Sequence, residues 1–199
     1  MASVLADGPV GAWLRENVEF LVVPFADKDG VEDGDQGKQR RPRDHNRDYD
    51  GVSLYAETGA LRQIVPEWSG GRLRLALDLH CPYINGDHSD VVYCVGGPDE
   101  ANWAQVQRFA ALLESVQTGS LVYRAEDNLP FGQGWNTAEN TAQGKSFAGW
   151  AAELDGVRMA TTIEIPYASV RDQTMTPTTA RLLGRDLAAA LHGYLGSRV

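Results

Sequence analysis

The stretch Leu73-Arg74-Leu75-Ala76-Leu77-Asp78-Leu79-His80-Cys81 decides how the chain is read. Leucine recurs at 73, 75, 77 and 79, with Arg74, Ala76, Asp78 and His80 between. A period of two belongs to a β-strand, whose successive side chains leave opposite faces. The apolar run is long enough for a central strand covered on at least one face. Pro82 cannot donate to a ladder and ends it. Ligands of open α/β sheets collect at the carboxyl ends of strands. His80 therefore stands where an imidazole can bind a metal or move a proton. The plainer alternative is a structural histidine satisfied by a neighbour.

Outward from this strand, the pattern alternates. Met1 to Asn17 reads as the end of a helix, interrupted at Gly8-Pro9. Val18 to Phe25, rich in Val, Leu and Phe, predicts a strand. Leu54 to Trp68 carries Leu54, Leu61, Ile64, Val65 and Trp68 at helical spacing, with Pro66 disturbing the last turn. Asp90 to Gly97 predicts a strand, and Pro98-Asp99 opens a helix to about Gln117 that Gly119 ends. Asn128 to Gly144 reads as a loop and Lys145 to Leu154 as a short helix. Val157 to Ile165 predicts a strand stopped by Pro166, and Thr176-Pro177 caps a last helix over Thr178 to Leu195. Strands alternating with helices imply an α/β fold with a mixed, mostly parallel sheet flanked by helices. The 199 residues, 43% hydrophobic, suit one domain over 1–199 with a sizeable core.

A net charge of -9 argues against nucleic acid and anionic membrane as partners. No apolar run reaches the ~18 residues of a membrane span, and the N-terminus lacks the pattern of a signal peptide. Two cysteines, Cys81 and Cys94, without a CxxC spacing, fit reduced thiols in a cytoplasmic protein.

The segment from Asp27 to Asp50 is almost wholly polar, and a loop this long inside a domain is functional or disordered. Asp27 to Asp35 suggests a calcium loop, but the spacing fails. With Asp29 first and Gly34 sixth, Val31 takes a ligand position and Arg40 stands where a glutamate is required. A solvated acidic turn is expected instead. Arg40, Arg41, Arg43 and Arg47 place four guanidiniums within eight residues, beside Asn46. Arginine binds carboxylate and phosphate through two parallel hydrogen bonds, although a charged loop partnered by its own aspartates reads the same way. Glu164, between Ile163 and Ile165, either faces solvent by alternation or enters a cavity where burial disfavours its charge. Its strand ends at Pro166, in the same topological place as His80. Two strand-end polar groups and an arginine loop form an active-site pattern.

Four segments in order resemble the M14 zinc carboxypeptidases. Val22-Val23-Pro24-Phe25 with Asp27-Lys28-Asp29-Gly30 looks like their strand and Asn-Pro-Asp-Gly turn, with Asp27 for Asn and Lys28 for Pro. Asp44-His45-Asn46-Arg47-Asp48-Tyr49 resembles their Asp-x-Asn-Arg-Asn-Trp stretch. Asp78-Leu79-His80 resembles the strand of their third zinc ligand, and Thr161-Thr162-Ile163-Glu164 that of their catalytic glutamate. The resemblance implies that His80 is a zinc ligand and that Asn46 and Arg47 grip the C-terminal carboxylate of a peptide or peptide-like substrate. It implies that Arg40 or Arg41 polarises the scissile carbonyl, the spacing not choosing between them. Asp44 becomes the partner that orients a zinc histidine, and Glu164 the general base that later protonates the leaving amine.

The departures from that pattern are specific. The family's first two zinc ligands come from a His-x-x-Glu motif ahead of the segment matched by Val18 to Phe25, and no such motif is present. The family's mobile-loop tyrosine has no match in Asn140 to Trp150. The chain thus resembles the C-terminal portion of a carboxypeptidase, lacking N-terminal elements. Weak, substoichiometric zinc binding is expected, as are exposed apolar surface around Val18 to Phe25 and self-association through it. Two other readings stand beside zinc-dependent hydrolysis of C-terminal residues. One is a metal-free carboxylate-binding module. The other is an unrelated α/β enzyme using His80 and Glu164 as an acid-base pair.

Overall fold

Pro9 at the first helical position opens α1 (Pro9–Asn17), as its fixed φ favours. The computed structural model describes residues 8–35, 37 and 40–197, and the part of the expected first helix before Gly8 lies outside them. Helix α2 (Lys28–Asp33) follows where a solvated acidic turn was expected. Asp27 caps it by accepting the Gly30 N–H at 2.9 Å, Lys28 pairs with Glu32 one turn on, and Gly34 closes it at φ 73°. These are ordinary start and stop signals compressed into six residues.

The polar chain from Arg40 to Tyr55 has a single 3-10 turn, His45–Arg47, and then α3 (Ala56–Ser69) begins. Pro66 sits inside α3 without ending it, and Gly70 in the left-handed region does. The sheet is built from β1 (Leu75–His80), β2 (Tyr93–Val95) and β3 (Met159–Glu164), in the order β1-β3-β2. β1 runs parallel to β3 and β2 antiparallel, a small mixed sheet. Helix α4 (Glu100–Val116) lies between β2 and β3 in sequence, with the short α5 (Ala138–Thr141) and α6 (Phe147–Ala151) after it. A two-stranded ribbon, β4 (Ser169–Val170) and β5 (Gln173–Thr174), leads to α7 (Pro177–Gly196), capped by Thr176 and Thr179 in a reciprocal box.

Alternation divides the sheet into two faces. Leu75, Leu77, Met159 and Ile163 pack with Phe109 and Leu113 of α4 and Leu183, Leu187 and Tyr194 of α7. On the other face, Ala76 and Ala160 pack with Tyr49, Val65 of α3 and Trp150 of α6. β3 is buried at all six positions, as expected of a strand covered on both sides. Where β2 is too short to pair with β3, Asn102 of α4 takes over. Its amide donates to the Ala160 carbonyl at 2.9 Å and accepts the Ala160 N–H at 2.8 Å, replacing a ladder rung.

The expected strand over Val18 to Phe25 is not one. No part of it belongs to a sheet, and Phe20, Leu21, Val22, Val23 and Phe25 are 38–57% exposed. Its residues have strand propensity, but a strand exists only against a partner, and the described residues supply none.

Candidate functional site

Period two in β1 and β3 sends Asp78, His80, Thr162 and Glu164 to one face. The parallel register sets Asp78 beside Thr162 and His80 beside Glu164 at the carboxyl ends of both strands. Tyr93 of β2 lies directly opposite Glu164 in the antiparallel pair and shares the face. The row His80–Glu164–Tyr93 therefore crosses all three strands. Glu164 and Tyr93 are buried, while the His80 side chain is about a third exposed.

Asp78 ties this row together. One of its oxygens accepts hydrogen bonds from Asn46 Nδ2 at 3.0 Å and Thr162 Oγ1 at 3.3 Å, and lies 3.5 Å from His80 Nδ1. Burial works against a charge on the His80 ring, but the hydrogen bond and charge of Asp78, helped by Glu164 and Asp44, outweigh it. They raise His80 from 6.5 to about 9. The consequence for stability has a definite sign. A group whose pKa rises on folding contributes stability that is full below its unfolded value and is lost above its folded one. We therefore expect urea stability to fall as the pH rises from 6.5 through about 9 and expect His80→Gln to flatten that fall. An unchanged slope in His80→Gln would place the titration elsewhere. Burial, with the Asp78 charge for Tyr49 and the Glu164 charge for Tyr93, pushes both phenols upward, so they stay neutral donors.

The Asn46-Arg47 turn is delivered to the same face by Asp44, whose Oδ1 accepts the Asn46 N–H at 2.8 Å. Both ends of the Asn46 amide are engaged, since Nδ2 donates to Asp78 and Oδ1 accepts the Phe147 N–H of α6 at 2.9 Å. It bolts the turn to β1 and α6. Arg47 donates from Nη1 to the Asn46 carbonyl at 2.6 Å. Gly144 passes close against the Arg47 carbonyl, at φ 135°. Behind the turn, buried Asp48 accepts the N–H groups of Leu54 and Tyr55 at 2.9–3.0 Å and the Thr58 hydroxyl. His45 is buried, its ring stacked 3.8 Å from that of Tyr55 and 3.4 Å from an Asp27 oxygen.

A cavity of about 2300 Å³ is lined by Asp44, Asn46, Arg47, Asp78, His80, Tyr93 and Glu164, among others. The structure thus brings together five of the residues singled out in the sequence: Asp44, Asn46, Arg47, His80 and Glu164. Arg40 and Arg41 do not line it. The Arg40 guanidinium grips Asp27 through Nε at 2.8 Å and Nη2 at 2.6 Å and reaches Asp35 at 3.1 Å, closing the polar loop on itself. That pairing holds the Asp27 carboxyl below the usual range. Arg41 is exposed, with Nη1 3.4 Å from the Arg40 carbonyl. Sequence reasoning gave no site role to Asp78, Thr162 or Tyr93. The alternation of β1 and β3 carried the signal for the first two.

Among the described residues, no group of three or more His, Cys, Asp or Glu side chains could hold a metal ion. His80 offers one ligand, already ion-paired, where a catalytic zinc takes about three from the protein. The described residues by themselves do not fit a catalytic zinc. No described helix is long and apolar enough to cross a membrane.

No protein-family model and no curated protein matches the chain. Solved structures do. A metallo-carboxypeptidase from Burkholderia cenocepacia superposes with a TM-score of 0.68 at 17% identity, over 96% of this chain and 49% of that one. A metallo-carboxypeptidase from Pseudomonas aeruginosa, in complex with (2-guanidinoethylmercapto)succinic acid, gives 0.54 at 19%, over 87% and 45%. A succinylglutamate desuccinalase from Vibrio parahaemolyticus gives 0.52 at 16%, over 87% and 46%. The chain spans about half the length of these proteins. Its α/β architecture, a small mixed sheet between helices, is a metallo-carboxypeptidase-like fold.

Proposed function

We propose that the chain carries part of a hydrolytic centre of the metallo-carboxypeptidase type, which in complete form removes C-terminal residues from peptides or peptide-like amides with the help of zinc. The observation supporting this reading is the register of His80 with Glu164 at two strand ends, on the face to which Asp78 and Asn46 fasten the Arg47 turn. Glu164 moves the protons, taking one from the attacking water and passing it to the leaving amine. Arg47 meets the terminal carboxylate through its planar fork. Asn46, with its amide given to Asp78 and Phe147, holds the arginine in place. His80 would hold one position of such a zinc site, where the metal would acidify the attacking water; the described residues supply no complete ligand set. Arg40, committed to Asp27 and Asp35, takes no part at the scissile carbonyl.

A second reading, a carboxylate-binding module without metal, rests on the Arg47 turn that Asp78 and Asn46 fasten to this face. Zinc titration against a competing dye separates the two. The hydrolytic reading expects weak, substoichiometric binding that tightens as the pH rises toward 9, because the proton on His80 competes with the metal. It expects His80→Ala to weaken binding about tenfold or more. Binding indifferent to His80→Ala removes His80 from the metal site. One tightly held zinc per chain after dialysis would contradict the ligand count.

A further inference from the structure

Neither nitrogen of the buried His45 ring makes a hydrogen bond. Buried polar atoms are nearly always paired, so two orphans on one ring need a reason. What faces them supplies it. Nδ1 lies 3.4 Å from an oxygen of Asp27, the residue that caps α2, and Nε2 lies 3.9 Å from Glu57 in the first turn of α3. Both neighbours are carboxylates, which accept hydrogen bonds and cannot donate them. A neutral imidazole has one N–H and one lone pair. Whichever nitrogen carries the proton, the other turns its lone pair on a carboxylate. Only the charged ring, with an N–H at each end, suits both neighbours.

The other groups around the ring do not reverse this. Arg40 shares Asp27, through Nε at 2.8 Å and Nη2 at 2.6 Å, and weakens its pull on the ring. Tyr55, stacked on the ring, gives its hydroxyl to the Arg43 carbonyl. Within the turn, Asp44 accepts the Asn46 N–H and Arg47 donates to the Asn46 carbonyl. Glu57 is half exposed, and a shift of about 1 Å brings its oxygen within hydrogen-bond distance of Nε2. His45 opens the 3-10 turn that carries Asn46 and Arg47. We infer that His45 is a proton-operated latch on that turn. Charged, the ring donates to Asp27 and Glu57 together and ties the turn to α2 and α3. Neutral, it releases one of them. Histidine is the side chain that changes charge near neutral pH, so the turn is fully held in acid and loosened as the pH rises. The latch acts on the Arg47 turn whether or not the site hydrolyses anything.

Two NMR measurements on the 199-residue chain test this. The first follows the ring nitrogens of the four histidines, His45 being the signal that His45→Gln removes. Both His45 nitrogens should carry protons at about pH 5.5 and only one at about pH 8. The second is amide exchange, corrected for the intrinsic effect of pH. Asn46 and Arg47 should lose about tenfold in protection over that range, with the α7 amides as the measure of global opening. His80 titrates as well, so the step must survive in His80→Gln. Glu57→Gln should remove the step and leave the turn ordered, because an amide can donate to a bare Nε2 or accept from a protonated one. A His45 ring whose protonation does not change over this range overturns the inference. So does a step shared by α7, a step that survives in Glu57→Gln, or no step at all.

Discussion

Asp48→Ala is expected to lower the unfolding free energy by about 3–5 kcal/mol, the cost of removing one partner from a buried charge network. Asp48 has no exposed surface and accepts the Leu54 and Tyr55 N–H groups and the Thr58 hydroxyl, with Arg43 3.6 Å away. Alanine leaves three donors and a half-buried guanidinium without that acceptor. Burial works against the Asp48 charge, but Thr58, the two backbone donors and Arg43 outweigh it and hold its carboxyl below 3.8. Its contribution is therefore present above pH 3.8 and lost as the pH falls through the lower folded value. Urea unfolding at pH 7 and at low pH measures both. A loss under about 1 kcal/mol would mean that the Arg43–Tyr55 segment is not held by this carboxylate.

Gly144→Ala should be nearly as costly and should act on the site directly. A Cβ at this position would lie 2.0 Å from the Arg47 carbonyl oxygen, a backbone atom that cannot swing aside, and φ 135° is strained for any L side chain. Strain of about 1–3 kcal/mol adds to a similar overpacking cost. Relief comes only by displacing the Arg47 turn. Stability should fall by several kcal/mol, and whatever Arg47 binds should be lost even where the variant stays folded. Gly134→Ala, also at positive φ but 3.3 Å from a flexible Leu129 methyl, should leave binding intact. Wild-type binding by Gly144→Ala would show that the turn does not depend on this contact.

The sheet and its covering helices were legible because two periods and their stop signals agreed. The leucine alternation in β1, the buried run of β3 with Pro166, and Asp99 and Thr176 ahead of α4 and α7 are all local features. The stop signals put His80 and Glu164 at the ends of their strands; the parallel register, which no local pattern carries, sets them on one face. Val18 to Phe25 misled because strand propensity is a preference for a pleated, half-buried surface, and the surface is absent from the described residues. Arg40 was unreadable for a different reason. Its partner Asp27 is 13 residues away, and nothing in composition tells a guanidinium aimed at a substrate from one closing its own loop. Asn46 likewise spends its amide on Asp78 and Phe147, contacts that only the packed β1 and α6 provide.

The most direct test of the central reading is titration of the folded chain with a short blocked peptide bearing a free C-terminal carboxylate, and with its C-terminal amide. A planar fork on a carboxylate makes charge-assisted hydrogen bonds of roughly 1.5–3 kcal/mol each, much of it offset by desolvation and ordering. Binding of the acid in roughly the high-micromolar to millimolar range follows, with the amide about tenfold weaker or more. Arg47→Lys should bring the acid down to the level of the amide, since lysine keeps the charge and loses the fork. Equal affinity for acid and amide, or indifference to Arg47→Lys, would contradict a carboxypeptidase-type site.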